Sequence, residues 1–436
     1  MTSEMMKITD IVEFNPKRTL KKGIVAPFVE MAAVPEHTRD IAYTQSKIFS
    51  SGSKFKNGDT LFSRITPCLE NGKTAKVGVL HKDEVGHGST EFIVMAAKHH
   101  ADEDFVYYLS LLPDFRKFAE SRMEGTSGRQ RVSWQALAEY KIPSIDPATR
   151  KEIGKILRSF DDKIELNRQI NQTLEAMAQA IFKSWFVDFD PVRAKIAALE
   201  AGEDTTRAAM RIISGKTVAE LERMSPEQLS QLQATASLFP SAMTESELGE
   251  VPEGWEYRSI YEISSVVYGA PFKSKQFITE AIGIPLVRIR DLKNEIPAVS
   301  TEEKHPKGYL IENGDLLVGM DGEFKPHIWG GGPAWMNQRI CCFKPKNDLS
   351  NAVIKGFISP QLDHLEKTAT ATTVIHLGKG DIDKFVYLQP NSELLSVYSD
   401  IAESIYKNIV NKKVANFSLA ETRDTLLPKL LSGEIF

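Results

Sequence analysis

Cysteine is scarce in this chain: Cys68, Cys341 and Cys342 are the only three among 436 residues. They form no CxxC pair and no even set, which speaks against a disulfide scaffold or a thiolate metal site and fits a reducing, cytoplasmic setting. Adjacent Cys341 and Cys342 fall in the strand-like run Arg339-Ile-Cys-Cys-Phe343, where thiols act as small packing groups. Long apolar runs are missing too. No stretch approaches the roughly 18 residues needed to span a bilayer, so no membrane contact is expected. Met1-Thr2-Ser3-Glu4 opens no basic region followed by an apolar run, so no secretory signal is expected either. Nor is there a surplus of positive charge. With 54 Lys and Arg against 58 Asp and Glu, the net charge is −4. A general nucleic-acid binder is usually basic, so any such affinity must be local or supplied partly by partner subunits.

Catalytic motifs are absent as well. A phosphate-cradling loop needs a glycine five positions before its Gly-Lys-Thr, because backbone N–H groups wrap the phosphates there. Before Gly72-Lys73-Thr74 that position is Pro67, and before Gly215-Lys216-Thr217 it is Met210. An adenine methyltransferase needs a glycine-rich donor turn and an Asp/Asn-Pro-Pro-aromatic loop for the flipped base. The sequence contains no Pro-Pro, and Gly330-Gly331-Gly332 runs into Pro333 rather than a helix. His99-His100 lacks the i,i+4 spacing of a helical metal pair. No catalytic residue and no metal ligand is expected.

What the chain does contain is a copy of itself. Val132, Leu137 and Ile142 align with Leu377, Ile382 and Tyr387 at an offset of 245, which also carries Phe160 onto Ile405, Ile164 onto Ile409 and Asn171 onto Asn416. Further upstream the offsets drift while the landmarks persist. Lys56-Asn-Gly-Asp-Thr-Leu61 matches Glu312-Asn-Gly-Asp-Leu-Leu317 at 256, Pro27-Phe-Val matches Pro285-Leu-Val at 258, and Ile8 and Ile11 match Ile260 and Ile263 at 252. Drift of this kind marks loops of unequal length between shared strands.

Each copy begins with short strands and turns. Asn57-Gly58-Asp59 and Asn313-Gly314-Asp315 are turns leading into predicted strands Thr60–Ser63 and Leu316–Gly319. Phe92–Met95 and Ile340–Phe343 have the length of buried strands, and a helical patch at Asp104–Glu120 is interrupted by Pro113. This predicts an α+β class with a twisted, partly closed sheet. Each copy ends differently, in apolar residues spaced four and three apart. The first series is Ile153, Leu157, Phe160, Ile164, Asn167, Asn171, Leu174, Ala178, Ile181, Trp185; the second is Tyr398, Ala402, Ile405, Ile409, Lys412, Asn416, Leu419, Arg423, Leu426, Leu430. That is the seam of a coiled coil, with polar positions such as Asn171 and Asn416 fixing register. A helix of some 34 residues is about 50 Å long, so an antiparallel pair would act as a spacer.

The expected organisation is two mixed α/β domains, 1–148 and 249–390, alternating with long helices at 149–188 and 391–436. A partly helical connector at 189–248, with helical pieces at Val192–Ala201 and Val218–Thr235, joins the two copies.

Several segments then match a known family. Phe182-Lys-Ser-Trp-Phe-Val-Asp-Phe-Asp-Pro191 resembles the end of the central conserved region of type I restriction–modification DNA specificity subunits, and Leu426-Leu-Pro-Lys-Leu-Leu-Ser-Gly-Glu-Ile435 their C-terminal signature. Val251-Pro-Glu-Gly-Trp255 resembles the usual start of a target-recognition domain. Asp59-Thr-Leu-Phe-Ser-Arg64 with Leu69-Glu-Asn-Gly-Lys73 resembles one class of such domains. The first domain departs from the pattern in lacking a Pro-Glu-Gly-Trp start. The resemblance implies a non-catalytic subunit in which each domain reads one half of a split double-stranded DNA target. It implies helices that set the spacing and dock two adenine-N6 methyltransferase subunits, and through them restriction and motor subunits. S-adenosylmethionine, ATP and Mg would then belong to the partners, with none bound by this chain.

Base edges are read by Arg, Lys, Asn, Gln, Ser or Thr on loops and strands that enter the major groove. The candidates in the first domain are Arg64, Thr66, Asn71 and Lys73, together with the loop residues Ser127, Arg129, Gln130, Arg131 and Ser133. In the second domain the repeat points to Asn337, Gln338 and Arg339, and to Thr372, Thr373, His376 and Lys379. Phe182, Trp185 and Phe186, with Leu427, Leu430 and Leu431, are expected to leave apolar surface for a partner subunit. A stand-alone two-part DNA-binding protein is the alternative that this surplus opposes, and the missing motifs oppose a fused, active methyltransferase.

Overall fold

The computed structural model describes residues 4–36, 38–41, 43–126, 128–280, 282–368 and 375–435. The chain divides into two compact units. The first comprises Met1–Leu166 with Ser418–Phe436, and the second Asn167–Phe417.

In the first unit, strand Thr60–Ser63 follows the Asn57-Gly58 turn. Gly58 sits at φ +92°, a conformation that costs glycine nothing. Asp59 closes this turn by accepting from Lys56 N (2.8 Å). Among the described residues the strands form two four-stranded sheets and a ribbon, rather than one sheet. In the first sheet Val12–Phe14, Phe92–Ala97, Thr60–Ser63 and Thr74–Lys76 lie side by side and antiparallel. The second runs Gln45–Ile48, Val25–Val29, Gly86–Gly88, Ser53–Phe55, with its central pair parallel. Met5–Lys7 pairs with Lys141–Pro143. Helices Glu103–Leu111 and Pro113–Ser121 cover the first sheet, split where Leu112 turns extended before the proline.

The second unit repeats this plan strand for strand. Its sheets run Ser264–Tyr268, Ile340–Pro345, Leu316–Gly319, Pro326–Ile328, and Ser300–Thr301, Ile284–Val287, Ala334–Met336, Leu310–Ile311, again with a parallel central pair. Glu256–Ser259 and Val386–Gln389 make the ribbon. Single hydrogen bonds recur as well: Ile8 N donates to Tyr140 O (3.0 Å), and Ile260 N to Phe385 O (2.9 Å). Cys341 and Cys342 are buried in strand Ile340–Pro345, where loss of solvent pushes the Cys341 thiol up to about 12. The connector belongs to this unit. Its helices Thr205–Ser214, Val218–Leu221 and Pro226–Ser237 hold a small cluster around Ala209, Met210, Leu221 and Ala236, while helix Asp190–Ala201 adds Val192 to the unit's main core.

Helices Pro147–Phe186 and Ser392–Leu431 are each 40 residues long and contribute to both units. In the first unit Ile153 and Leu157 join a core with Leu427, Leu430 and Leu431. Asp161 pairs there with Arg423 and accepts from Tyr108 Oη (2.5 Å). In the second unit Asn167 bonds Asn416 and Asn171 bonds Ile409 O (3.2 Å), while Tyr398 Oη reaches Ala178 O (3.2 Å). Numbers rise on one helix as they fall on the other, so the packing is antiparallel in each unit. Of the remaining seam positions, Ile164 and Ile409 are buried, and Phe160, Leu174, Ile181, Ile405, Leu419 and Leu426 are half-buried.

Candidate functional site

The sequence candidates of the first unit converge where strand Thr60–Ser63 ends. Three backbone bonds hold that point: Arg64 N donates to Glu91 O (3.0 Å), Val132 N to Arg64 O (3.0 Å), and Thr66 N to Gln130 O (3.1 Å). A strand exit, the turn that links the unit's two sheets and a loop are thereby joined in one frame. Residues 67–73 fold back on it, with Lys73 N donating to Cys68 O (2.9 Å) and Ser63 N to Lys73 O (3.1 Å).

Within this frame Arg131 lies side-on to Glu91. Its Nε donates at 2.9 and 3.0 Å and its Nη2 at 2.7 Å. The Arg131 bond holds the Glu91 carboxyl below its ordinary value, although partial burial opposes this. Arg129 and Asn71 are exposed, and Gln130 is half-buried. Lys73 is half-buried, with its ammonium on Met31 O (3.2 Å). Ser133 has a structural task, capping helix Trp134–Leu137 by accepting from Ala136 N (3.2 Å). Ser127 lies outside the described residues.

The second unit builds the same frame. Met320 N donates to Arg339 O (2.9 Å), Leu377 N to Met320 O (2.8 Å), and Gly322 N to Ile375 O (3.0 Å). Position by position, Met320 stands for Arg64, Asp321 for Ile65, Arg339 for Glu91 and His376 for Arg131. The charges have changed places. Asp321, at the strand exit, receives Arg339 Nη1 at 3.4 Å, and His376 Nδ1 lies 2.8 Å from the same carboxylate oxygen. Gln338 and Lys379 are exposed. Asn337 is a correction: it is buried, with its backbone bonded to Val287 O (3.1 Å) and Ile340 N (3.1 Å). Gly269 approaches so closely that a Cβ there would lie 2.0 Å from Asn337 O. Asn337 therefore belongs to the framework. Thr372 and Thr373 lie outside the described residues.

The sequence reading missed Glu91 and Asp321 because it sought donors, and it missed Arg116 because that residue sits on a helix. Arg116 packs beneath the candidate loop: a Cβ on Gly72 would lie 2.6 Å from its Nη1. Its Nε is buried without a hydrogen-bond partner, as is that of Arg64, and burial pulls the pKa of Arg116 below the usual guanidinium value.

A second correction concerns the apolar residues assigned to a partner. Phe182, Trp185 and Phe186 are buried in the second unit's own core, with Phe182 against Phe357 (4.9 Å between ring centres), Trp185 against Phe239 (5.3 Å) and Phe186 against Tyr398 (5.3 Å). A Cβ at Gly356 would lie 2.4 Å from the Phe182 ring, so helix Asn351–Thr368 can pack this close only because that position is glycine. Leu427, Leu430 and Leu431 are likewise buried in the first unit. The chain covers these side chains itself, and none is free to meet a partner. Among the described residues no helix is long and apolar enough to cross a membrane.

The family described as "Type I restriction modification DNA specificity domain" matches residues 2–176 and 252–387, once in each copy of the repeat. The chain is 32% identical over 408 residues to the type I restriction enzyme HindI specificity subunit of Haemophilus influenzae, covering 87% of each chain. It is 23% identical over 355 residues to the MjaIX specificity subunit of Methanocaldococcus jannaschii, covering 76% of this chain and 69% of that one. A solved type I S subunit from M. genitalium aligns over 99% of this chain and 96% of its own, at 14% identity and a TM-score of 0.48. The family match over most of the chain, and a relative of this identity along nearly its whole length, place the chain in the type I restriction–modification DNA specificity family, as a DNA-recognising, non-catalytic subunit.

Proposed function

We propose that the chain reads a two-part double-stranded DNA target, one half per unit, with 1–148 and 249–390 acting as the two target-recognition domains. The observation that carries this is the frame built twice with different side chains. One backbone scaffold presents Arg131, Gln130 and Thr66 in the first unit and Arg339, Gln338 and His376 in the second, so the two halves of the target should differ. Loops on a rigid scaffold are where recognition residues usually sit. The family also supports a role in assembly. The long helices would set the spacing between half-sites and dock two adenine-N6 methyltransferase subunits, which in turn would recruit restriction and motor subunits in the cytoplasm. S-adenosylmethionine, ATP and Mg would be held by those partners.

Because Phe182, Trp185 and Phe186 are buried, docking must use outward residues. The long helices expose Leu166, Met177, Ile401 and Val414. The test is to purify the chain from cells together with its bound subunits, select binding sites from randomised duplex DNA, and sequence the bound pool. Two unlike short motifs separated by an unread spacer are expected. A single motif, a symmetric motif, or no enrichment would overturn the proposal.

A further inference from the structure

Arg131 uses one edge of its guanidinium, Nε and Nη2, to hold Glu91 at 2.7–3.0 Å. The outer edge has only a long contact from Nη1 to Arg129 O (3.4 Å), and the side chain is 42% exposed. Stability does not account for this pair, since ion pairs at such exposure contribute little. Phosphate binding does not account for it either, because a carboxylate at this distance repels a phosphate. A carboxylate behind an arginine does something else: it fixes a long side chain in advance, which lowers the ordering cost on binding. The parallel Nη1 and Nη2 N–H groups of that outer edge then match the O6 and N7 acceptors of guanine in the major groove.

The second unit holds a counterpart in the same frame. Arg339, on the turn between the two sheets, donates through Nη1 to Asp321 (3.4 Å), with Nε 3.3 Å from the other carboxylate oxygen, and His376 lies 2.8 Å from that carboxylate and 3.5 Å from Arg339 Nη1. The arginine comes from the loop in one unit and from the turn in the other.

We propose that Arg131 and Arg339 each read one guanine, one in each half of the DNA target, with Glu91 and Asp321 as the positioning residues that aim them. The guanine falls at a different place in each half, because the two arginines leave the frame from different segments. This inference rests on the two-part reading above, and its test separates the two.

Randomised duplex DNA is selected with the complex purified from cells, carrying the parent chain, Arg131→Ala, Arg131→Lys, Glu91→Gln, Arg339→Ala or Asp321→Asn. For Arg131→Ala, discrimination at one G·C pair of one half should fall roughly tenfold or more, the range of a bidentate contact, with other positions unchanged. Arg339→Ala should do the same in the other half. Arg131→Lys keeps the charge but not the fork, so it should behave as Arg131→Ala. Glu91→Gln and Asp321→Asn should relax those same pairs while binding to unrelated DNA stays equal or strengthens; a merely structural role would weaken every position together. An unchanged motif in both alanine variants, or loss spread over a whole half-site, overturns the inference. A parent that selects no two-part motif removes the reading beneath it, and this inference falls with it.

Discussion

Asn167 Nδ2 donates to Asn416 Oδ1 across 2.8 Å, with Asn167 only 2% exposed in the seam between the two long helices. A polar pair in an apolar seam stabilises less than leucines would, but it penalises every other register. Asn167→Leu alone removes one partner of a half-buried amide and should lower stability by about 1–3 kcal/mol. Asn167→Leu with Asn416→Leu should recover that loss or exceed it, because both polar groups are then gone. Urea unfolding of the two single variants and the double variant measures the coupling. Additive losses would show that the pair does not act as a unit.

The aromatic residues near the end of the central helix make a second, opposing pair of predictions. Phe182→Ala and Phe186→Ala each remove a large side chain from the second unit's core, at about 3–5 kcal/mol, so proteolysis should cut that unit more readily. Met177→Glu with Ile401→Glu changes exposed positions and should leave the melting temperature almost unchanged. Co-purification of methyltransferase subunits should fall in the surface variant. If the surface variant binds partners as the parent does, docking uses other faces of the molecule.

These aromatics also show where sequence reasoning stops. Spacing of four and three reveals that Trp185 lies on a buried stripe, with Phe182 beside Ile181, but not whether the cover is this chain or another. Here the cover is Phe357, Tyr398 and Phe239, residues far away in sequence. Strands Thr60–Ser63 and Leu316–Gly319 were legible because an Asn-Gly turn and an apolar run are local signals. Arg131 and Arg339 were legible as donors on glycine-flanked or polar segments. Their carboxylates were not, because Glu91 and Asp321 become relevant only through pairing across the frame. The repeat held part of that information: offsets of 256, 248 and 245 superpose Ile65 on Asp321, Glu91 on Arg339, and Arg131 on His376. Asn337 is buried, and Gly269, far from it in sequence, closes on its backbone carbonyl, a contact that no local signal announces.

Acid should weaken the second unit through Glu175. Burial alone would raise its pKa. Lys355 (2.6 Å), with hydrogen bonds from Tyr406 (2.9 Å) and Gln179 (2.9 Å), instead brings it below the ordinary 4.5. A depressed carboxylate contributes stability above its unfolded pKa and loses it as pH falls through the folded one. Stability should therefore drop below roughly pH 4.5, and Glu175→Gln should flatten that part of the curve while lowering stability at neutral pH. Denaturant midpoints across this range test it; an equally steep fall in the variant would assign the acid loss to other groups.

Arg116 should act on DNA affinity without touching sequence preference. It lies under the Gly72 loop with a buried Nε that no other group satisfies. If its terminal nitrogens meet a phosphate, losing that contact lowers binding to all sequences alike and reduces the slope of log K against log salt by about one. Arg116→Met keeps much of the packing volume and removes the charge. Fluorescence anisotropy over a salt series should give a shallower slope with an unchanged selected motif. A changed motif would instead make Arg116 a base reader.

The last prediction concerns spacing. The division between the units falls inside both long helices, between Leu166 and Asn167 and between Phe417 and Ser418. If helix length sets the distance between half-sites, it must be changed in both helices at once, since Asn167 bonds Asn416. Four residues inserted at each division add about 6 Å of helix, close to two base-pair steps. Four residues also exceed one turn by only a small rotation, so the seam keeps nearly the same facing. The expected outcome is a selected target whose unread spacer is about two base pairs longer, with the bases of each half unchanged. An insertion in one helix alone should instead destabilise the chain, because the seam on one side of the insertion is then out of register. Selection from randomised duplex DNA reads the spacer, and unfolding reads the stability. A double insertion that folds as the parent does yet keeps the parental spacer would take the spacing role away from the helices and place it in the recognition units.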